Sequence, residues 1–292
     1  MKQRAITALF FVAAMVGGIF WSRETFLGLF WLIVAGTLWE LFGMLLPAGE
    51  PGLRWRKITG CLIGFLPVWW FGLSALLGGF CGHSTPEEMA GAHAYQMIGK
   101  AGECIVLVVI PVMLAFILEL FRGGKNPAQV IGSYLLGVFY VSLPVMFLFW
   151  IATPDAIYKP NRVFGLLWLV WTNDTLAYLV GSRIGKNKLF ERISPKKTWE
   201  GTIGGVLGTI AMAWGLAQYV PDFSPAQWLA LGGVVSIFGT LGDLVESMFK
   251  RAAGVKDSGS LFPGHGGFLD RFDAFLFMLP FAWLAIMVVF GG

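Results

Sequence analysis

Long apolar runs separated by short polar connectors make up most of the chain. We predict nine spans, at residues 5–21, 26–46, 58–80, 101–121, 129–151, 163–180, 202–220, 228–249 and 268–290. An α-helix rises about 1.5 Å per residue, so about 20 residues are needed to cross a hydrocarbon core of about 30 Å. Because lipid cannot hydrogen-bond to the backbone, each span must be helical. The pattern therefore predicts an all-α, polytopic integral membrane protein with no separate soluble domain.

The composition supports this class. Of the 292 residues, 57% are hydrophobic and 13% are charged, whereas a soluble domain carries about 25% charged residues. This balance excludes soluble cytoplasmic, secreted and disordered proteins. The three cysteines lack the paired spacing of a zinc site, and we expect them to be buried thiols.

The charge of the connectors predicts the topology. With the N-terminus in the cytoplasm, the inside connectors hold 16 lysines and arginines and the outside connectors hold 4. The positive-inside rule then gives an odd number of spans and a C-terminus outside. The two most basic connectors, 181–200 and 250–267, lie on the same cytoplasmic face in this topology. We expect the outside connector 82–100 to be a solvated polar loop.

Carboxylates cluster where the eighth and ninth predicted spans meet the cytoplasmic connector. Asp243 and Glu246 share a face of span eight, and Asp270 and Asp273 open span nine on one face. If the two spans form a hairpin, Asp243, Asp270 and Asp273 converge. Neighbouring carboxylates repel one another unless a cation lies between them, and hard oxygen ligands favour Mg²⁺. Helix capping is the alternative; it explains Asp270 but not Asp243, which the helix dipole opposes.

The connector between these carboxylates is rich in glycine and positive charge. It contains Lys250, Arg251 and Lys256, and glycines surround His265. Free backbone amides and nearby cations are what a pyrophosphate requires. His265 could act as an acid or phosphate donor, or it could be structural, and both alternatives remain open.

A second polar stretch covers residues 171–201. Asp174 interrupts span six, and the basic connector that follows ends in the sequence SPKKT, with Lys196, Lys197 and Thr198. A basic run beside a membrane can be a topology signal or a lipid-headgroup contact. The compact SPKKT sequence and the intramembrane Asp174 favour substrate binding.

Three further carboxylates lie singly in apolar spans. They are Glu40, Glu103 and Glu119. A charged residue costs about 2.5–3.5 kcal/mol at the centre of a membrane helix on insertion scales. We therefore expect each to lie near a helix end or to hydrogen-bond inside the bundle, in a structural role.

The stretch from Ser247 to Asp273 resembles the signature of the phosphatidate cytidylyltransferases, also called CDP-diacylglycerol synthases. Its pattern is S-x-x-K-R-x4-K-D-x-G-x2-F-P-x-H-G-G-x2-D-R-x-D. The elements ND-x2-AY, GK-x-KL and SPKKTWEG also resemble that family, although many members carry alanine-aspartate where this chain has Asn173-Asp174. The detailed resemblance covers about residues 165–290.

The resemblance implies transfer of CMP from CTP to phosphatidate, giving CDP-diacylglycerol and pyrophosphate. The attacking lipid phosphate is already ionised at pH 7, so catalysis depends on cations that hold the phosphates in line. The implied cofactor is Mg²⁺, bound by Asp243, Asp270 and Asp273, with a second cation left open. The implied catalytic residues are these three and Arg271. The implied substrate-binding residues are Lys196, Lys197, Thr198, Ser247, Lys250, Arg251, Lys256, His265 and Asp174.

The predicted spans, the charge of the connectors and the resemblance together imply an organisation and a location. Residues 1–160 would form about five N-terminal membrane spans, and residues 161–292 a catalytic region of about four. The active site would face the cytoplasm in the cytoplasmic (inner) membrane. The expected partners are CTP, phosphatidate, the bilayer and a second copy in a homodimer, without nucleic acid. The alternatives are a cytidylyltransferase for another lipid phosphate, or a transporter, which the one-sided charge and the lack of a repeat disfavour.

Overall fold

The structure is a computed structural model that describes residues 2–47, 49–76, 86–154, 157–259 and 266–289. His265 lies outside the described residues. The helices, in chain order, are α1 Lys2–Phe20, α2 Arg23–Leu45, α3 Leu53–Leu76, α4 Pro86–Arg122, α5 Pro127–Gly137, α6 Leu143–Ala152, α7 Pro160–Ile184, α8 Trp199–Tyr219, α9 Pro225–Val234, α10 Thr240–Ala252 and α11 Leu269–Leu284. Short π-helical turns continue three of them, at Val138–Ser142, Val235–Gly239 and Ala285–Val289.

Six helical segments of the described chain are long and apolar enough to cross a membrane. They are Arg23–Leu45, Leu53–Ser74, Ile105–Arg122, Pro127–Ala152, Pro160–Ile184 and Pro225–Ala252. The helical membrane class is therefore confirmed. The count of about nine is not confirmed, because the predicted spans at 5–21, 202–220 and 268–290 form helices that are not among these six.

The fold is helical as predicted, with one addition that the sequence did not predict: the connector between α7 and α8 contains a small β-hairpin. Strands β1 Lys188–Phe190 and β2 Ser194–Thr198 pair antiparallel, with Lys188 opposite Thr198. Gly185 leaves α7 in an extended conformation, and strand pairing then satisfies backbone groups of the polar connector. Thr198 ends the hairpin and caps α8, because its side chain accepts a hydrogen bond from the backbone N–H of Gly201 at 3.2 Å.

Most of the predicted outside loop 82–100 is also helical. Helix α4 begins at Pro86, about 15 residues before the predicted span at 101. Proline fits the first turn of a helix because its missing N–H would be unpaired there, and the following glutamates and alanines are favourable in a helix. The apolar pattern marked only the part of the helix that is hydrophobic enough to enter lipid.

Both halves of the chain contribute to one buried core. Phe26 and Phe30 of α2 pack against Phe149 of α6 and Phe275 of α11, and each of these four rings is almost completely buried. The division at residue 160 therefore does not coincide with a break in the core and stays a prediction about function.

Two close helix pairs determine where the polar residues lie. Helix α8 packs on α7 through glycine, since a Cβ added at Gly201 would lie 2.6 Å from the carbonyl oxygen of Ala177. Helix α10 packs on α11 in the same way, since a Cβ at Gly242 would lie 3.0 Å from the carbonyl oxygen of Asp273. These contacts bring α7, α8, α10 and α11 together around one cavity.

Candidate active site

A cavity of about 750 Å³ lies between α7, α8, α10, α11 and the hairpin. Most of the predicted site residues line it. These are Asp174, Lys196, Lys197, Thr198, Asp243, Lys250, Asp270, Arg271 and Asp273. The cavity therefore contains carboxylates and lysines from stretches that lie up to about 100 residues apart in the sequence.

An acidic cluster lies at one side of the site, where Asp243 and Asp273 line the cavity and Glu246 is buried behind them. Asp243 and Glu246 of α10 and Asp273 of α11 each offer a carboxylate oxygen, and these oxygens lie within 4.8 Å of one another. The Glu246 side chain is completely buried, and its Oε1 atom has no hydrogen-bond partner among the described residues. A buried, unpaired oxygen is costly. A hard divalent cation would use this oxygen, so the cluster fits Mg²⁺.

Lys250 joins this cluster to Asp270. Its ammonium group forms an ion pair with Glu246, one turn earlier on α10, and lies 2.7 Å from Asp270 Oδ1. The Lys250 side chain is only 14% exposed. A mostly buried lysine between two carboxylates limits their mutual repulsion and fixes the start of α11 beside α10.

Asp270 lies next to the acidic cluster but has different contacts. Its Oδ2 atom accepts hydrogen bonds from the backbone N–H of Ser258 at 2.9 Å and of Gly267 at 2.8 Å. The Ser258 hydroxyl is also 3.0 Å away. These bonds support the alternative that Asp270 organises the start of α11. Its role as a metal ligand stays a prediction, and Glu246 stands with Asp243 and Asp273 in the acidic cluster.

The hairpin brings a second lysine to the cluster. Lys197 Nζ lies 2.7 Å from Asp243 Oδ2 and 3.4 Å from the carbonyl oxygen of Thr240. The Ser247 hydroxyl donates to Asp243 Oδ1 at 3.3 Å, so Ser247 orients Asp243 and does not line the cavity. Asp243 is therefore held between a lysine from one stretch and a serine from its own helix.

The remaining predicted basic residues lie outside the cavity. Arg251 Nε donates to the backbone oxygen of Ile193 at 3.4 Å, which connects α10 to the hairpin. Lys256 is exposed in the connector after α10, and neither side chain is part of the cavity lining. Their predicted substrate contacts remain predictions.

The hairpin itself is held by a carboxylate that the sequence did not single out. Glu200 accepts hydrogen bonds from the backbone N–H groups of Lys186 and Asn187 and, at 2.7 Å, from the Asn187 side chain. Its own backbone N–H, followed by those of Asn187 and Lys186, keeps the pKa of Glu200 below its ordinary value. An ionised Glu200 therefore closes the base of the hairpin that carries Lys196 and Lys197.

Two of the single intramembrane carboxylates have clear roles. Glu119 is buried and pairs with Arg56 at 2.7 Å and with Arg122 at 3.0 Å, as expected for a structural residue. Glu40 of α2 instead reaches the connector before α11, where it accepts hydrogen bonds from Ser258 and Leu269. The energetic cost of a carboxylate in a membrane helix indicates that Glu40 needs a partner. The sequence alone does not identify that partner. The side chain of Glu103 lies outside the described part of the structure.

A cavity with clustered carboxylates and lysines at one end of a bundle of apolar helices is typical of membrane enzymes that bind phosphate groups with a divalent cation. The sequence model that describes the cytidylyltransferase family matches residues 88–289 of this chain. The chain belongs to this family, and the resemblance seen in the sequence is confirmed.

Individual relatives match about half of the chain. The protein named phosphatidate cytidylyltransferase from Staphylococcus aureus (strain COL) is 46% identical over 148 residues, which is 50% of this chain and 55% of that protein. The protein of the same name from Staphylococcus haemolyticus (strain JCSC1435) is 47% identical with the same coverage. The matched region thus spans about half the length of these curated relatives.

Proposed function

We propose that this chain is a phosphatidate cytidylyltransferase, which transfers CMP from CTP to phosphatidate and releases pyrophosphate. The observation that carries the proposal is the cavity in which an acidic cluster able to hold a divalent cation lies beside Lys197 and Lys250. Family membership and the names of the relatives agree with this reaction.

The chemistry needs positioned charge more than it needs a base. An oxygen of the lipid phosphate attacks the α-phosphorus of CTP, and the bond from that phosphorus to the leaving pyrophosphate breaks. Both reactants are anions, so the barrier is dominated by charge repulsion and by alignment. Bound Mg²⁺, held by Asp243, Glu246 and Asp273 and, as the sequence predicts, Asp270, would supply charge neutralisation.

The protein supplies the remaining positive charge from two directions. Lys196 and Lys197 reach the cavity from β2, and Lys250 and Arg271 reach it from α10 and α11. Lysine serves as a point charge for phosphate, and arginine provides a fork of donors. In the proposed reaction, Lys197, which pairs with Asp243 in the structure, would also be within the cavity to contact a phosphate.

The cytoplasmic (inner) membrane and the cytoplasmic face are part of the proposal. Their support is the excess of lysine and arginine in the connectors that the topology places inside. The same face presents CTP, a water-soluble nucleotide, while phosphatidate stays in the bilayer. A homodimer is also proposed, on the family resemblance alone.

Incorporation of labelled CTP into lipid by the purified protein tests the function. We expect labelled CDP-diacylglycerol only when phosphatidate and Mg²⁺ are both supplied, and none from the Asp273→Asn variant. Asp222→Asn is the matched control, because Asp222 contacts Asn161 and Lys159 outside the cavity. Labelled lipid that forms with a different lipid phosphate, but not with phosphatidate, would instead identify another lipid substrate. Absence of labelling with every lipid phosphate tested would refute the proposed function.

A further inference from the structure

Glu40 links the N-terminal half of the chain to the connector that precedes α11. Its Oε2 atom accepts hydrogen bonds from the Ser258 hydroxyl at 2.9 Å and from the backbone N–H of Leu269 at 3.0 Å. Leu269 is the first residue of α11, so its N–H has no acceptor within the helix. Glu40 therefore caps α11 from a different helix, and its negative charge lies at the favourable end of the helix dipole.

Glycines at positions 259 and 267 leave space for this carboxylate. A Cβ atom added at Gly259 or at Gly267 would overlap the carboxylate of Glu40. One turn earlier on α2, Gly36 makes room for the ring of Phe268, since a Cβ there would overlap that ring. Three glycines thus allow α2 to lie close to residues 259, 267 and 268.

The contacts continue from Glu40 into the proposed active site. The Ser258 hydroxyl lies within hydrogen-bonding distance of both Glu40 and Asp270. Asp270 in turn contacts Lys250, which pairs with Glu246 of the acidic cluster. A shift of Ser258 or of the first turn of α11 would therefore disturb the contact between Asp270 and Lys250.

We propose that Glu40 is a positioning residue for the cytidylyl transfer, which holds Ser258 and the first turn of α11 so that Asp270 and Lys250 stay beside the acidic cluster. The inference rests on the proposed function. Glu40 does not line the cavity, so it acts through Ser258 and the first turn of α11. Membrane helix α2 thereby contributes to a site whose signature residues lie more than 200 positions later.

Glu40→Ala and Glu40→Gln test the proposal. Loss of a hydrogen bond to a charged group corresponds to a change of about tenfold or more in a rate or equilibrium constant. We therefore expect Glu40→Ala to lower kcat by about tenfold and to raise the half-saturating Mg²⁺ concentration. Gln keeps one carbonyl oxygen for the Leu269 N–H, and Glu40→Gln should retain more activity than Glu40→Ala. Glu24→Gln is the matched control, because Glu24 is an exposed glutamate at the opposite end of the same helix.

A double-variant comparison separates positioning from a general loss of structure. Gly259→Ala places a methyl group against the Glu40 carboxylate and should reduce kcat. In the Glu40→Ala background the same substitution has no carboxylate to displace and should cost little more. If Gly259→Ala costs as much with Ala at position 40 as with Glu, the proposed contact does not operate and the inference is overturned. Wild-type kcat and Mg²⁺ dependence in Glu40→Ala would overturn it equally.

Hydrogen exchange gives a readout that is independent of catalysis. In the purified protein, peptides covering 266–274 should exchange faster in Glu40→Ala than in the wild type or in Glu24→Gln, because the Leu269 N–H loses its acceptor. Unchanged exchange there would refute the positioning role. If the wild type fails to use CTP while exchange still rises in Glu40→Ala, the proposed function fails but the contact between Glu40 and α11 stands.

Discussion

Glu246 gives the sharpest test of the acidic cluster, because it is the member with a buried and unpaired oxygen. Glu246→Gln keeps the size of the side chain and removes its charge. If Glu246 helps to hold Mg²⁺, its loss removes part of a charge stabilisation of several kcal/mol. A loss of about 3–4 kcal/mol corresponds to a fall of about 10²–10³-fold in rate, since each 1.36 kcal/mol is about tenfold. We also expect the half-saturating Mg²⁺ concentration to rise.

The same substitution should have a smaller effect on stability. Removing one partner of a buried ion pair costs about 3–5 kcal/mol when the other charge is left unpaired. Lys250 also pairs with Asp270 at 2.7 Å, and we expect it to keep this partner in the variant. The free energy of unfolding should therefore fall by about 1–3 kcal/mol, the cost of losing one buried hydrogen bond. Thermal unfolding in detergent, compared with turnover per folded molecule over a Mg²⁺ titration, measures both effects.

Glu119→Gln is a closely matched control for this experiment. Glu119 is also a buried helical glutamate, 2% exposed, and its partner Arg56 keeps Glu50 at 3.2 Å after the substitution. Stability should fall by a similar amount, while kcat of the folded protein should not change. If Glu246→Gln behaves like Glu119→Gln, with normal turnover and Mg²⁺ dependence, Glu246 is a structural ion-pair residue and the reasoning about the metal site is wrong.

Three other predictions concern Asp270, Lys197 and the membrane topology. Asp270→Asn should abolish turnover if Asp270 is a metal ligand; near-normal Mg²⁺-dependent activity in a well-folded preparation would leave it as a residue that organises α11, since the Asn side-chain oxygen can still accept from the backbone N–H groups of Ser258 and Gly267. Lys197→Ala should raise KM for CTP or slow turnover with Mg²⁺ dependence retained, and wild-type kinetics would indicate a topological role for this lysine. Single cysteines at Asn187 and Ala253 should react with an impermeant reagent only from the cytoplasmic side, and labelling from outside intact cells would contradict the topology.

Local patterns in the sequence are sufficient for the helices and for part of the site. Apolar runs indicate membrane helices because the bilayer leaves the backbone no other way to pair its polar groups. The spacing within GDLVESMFK and DRFD assigns each carboxylate to a helix face, because residues three or four apart lie on the same side of a helix. With an antiparallel hairpin of α10 and α11, that spacing brings Asp243 and Asp273 together, as in the structure.

The three-dimensional packing decided which of these residues meet and what else joins them. The sequence predicted Asp270 as a metal ligand and placed Glu246 only on the same helix face as Asp243. The contacts of Lys250 and of the turn at Ser258 are what distinguish their surroundings. The contact of Glu40 with Leu269 spans 229 positions, and no periodicity encodes a partner at that separation. Hydrophobic patterning reports which side of a helix avoids water, whereas a hydrogen bond between distant segments exists only once packing has fixed both donor and acceptor.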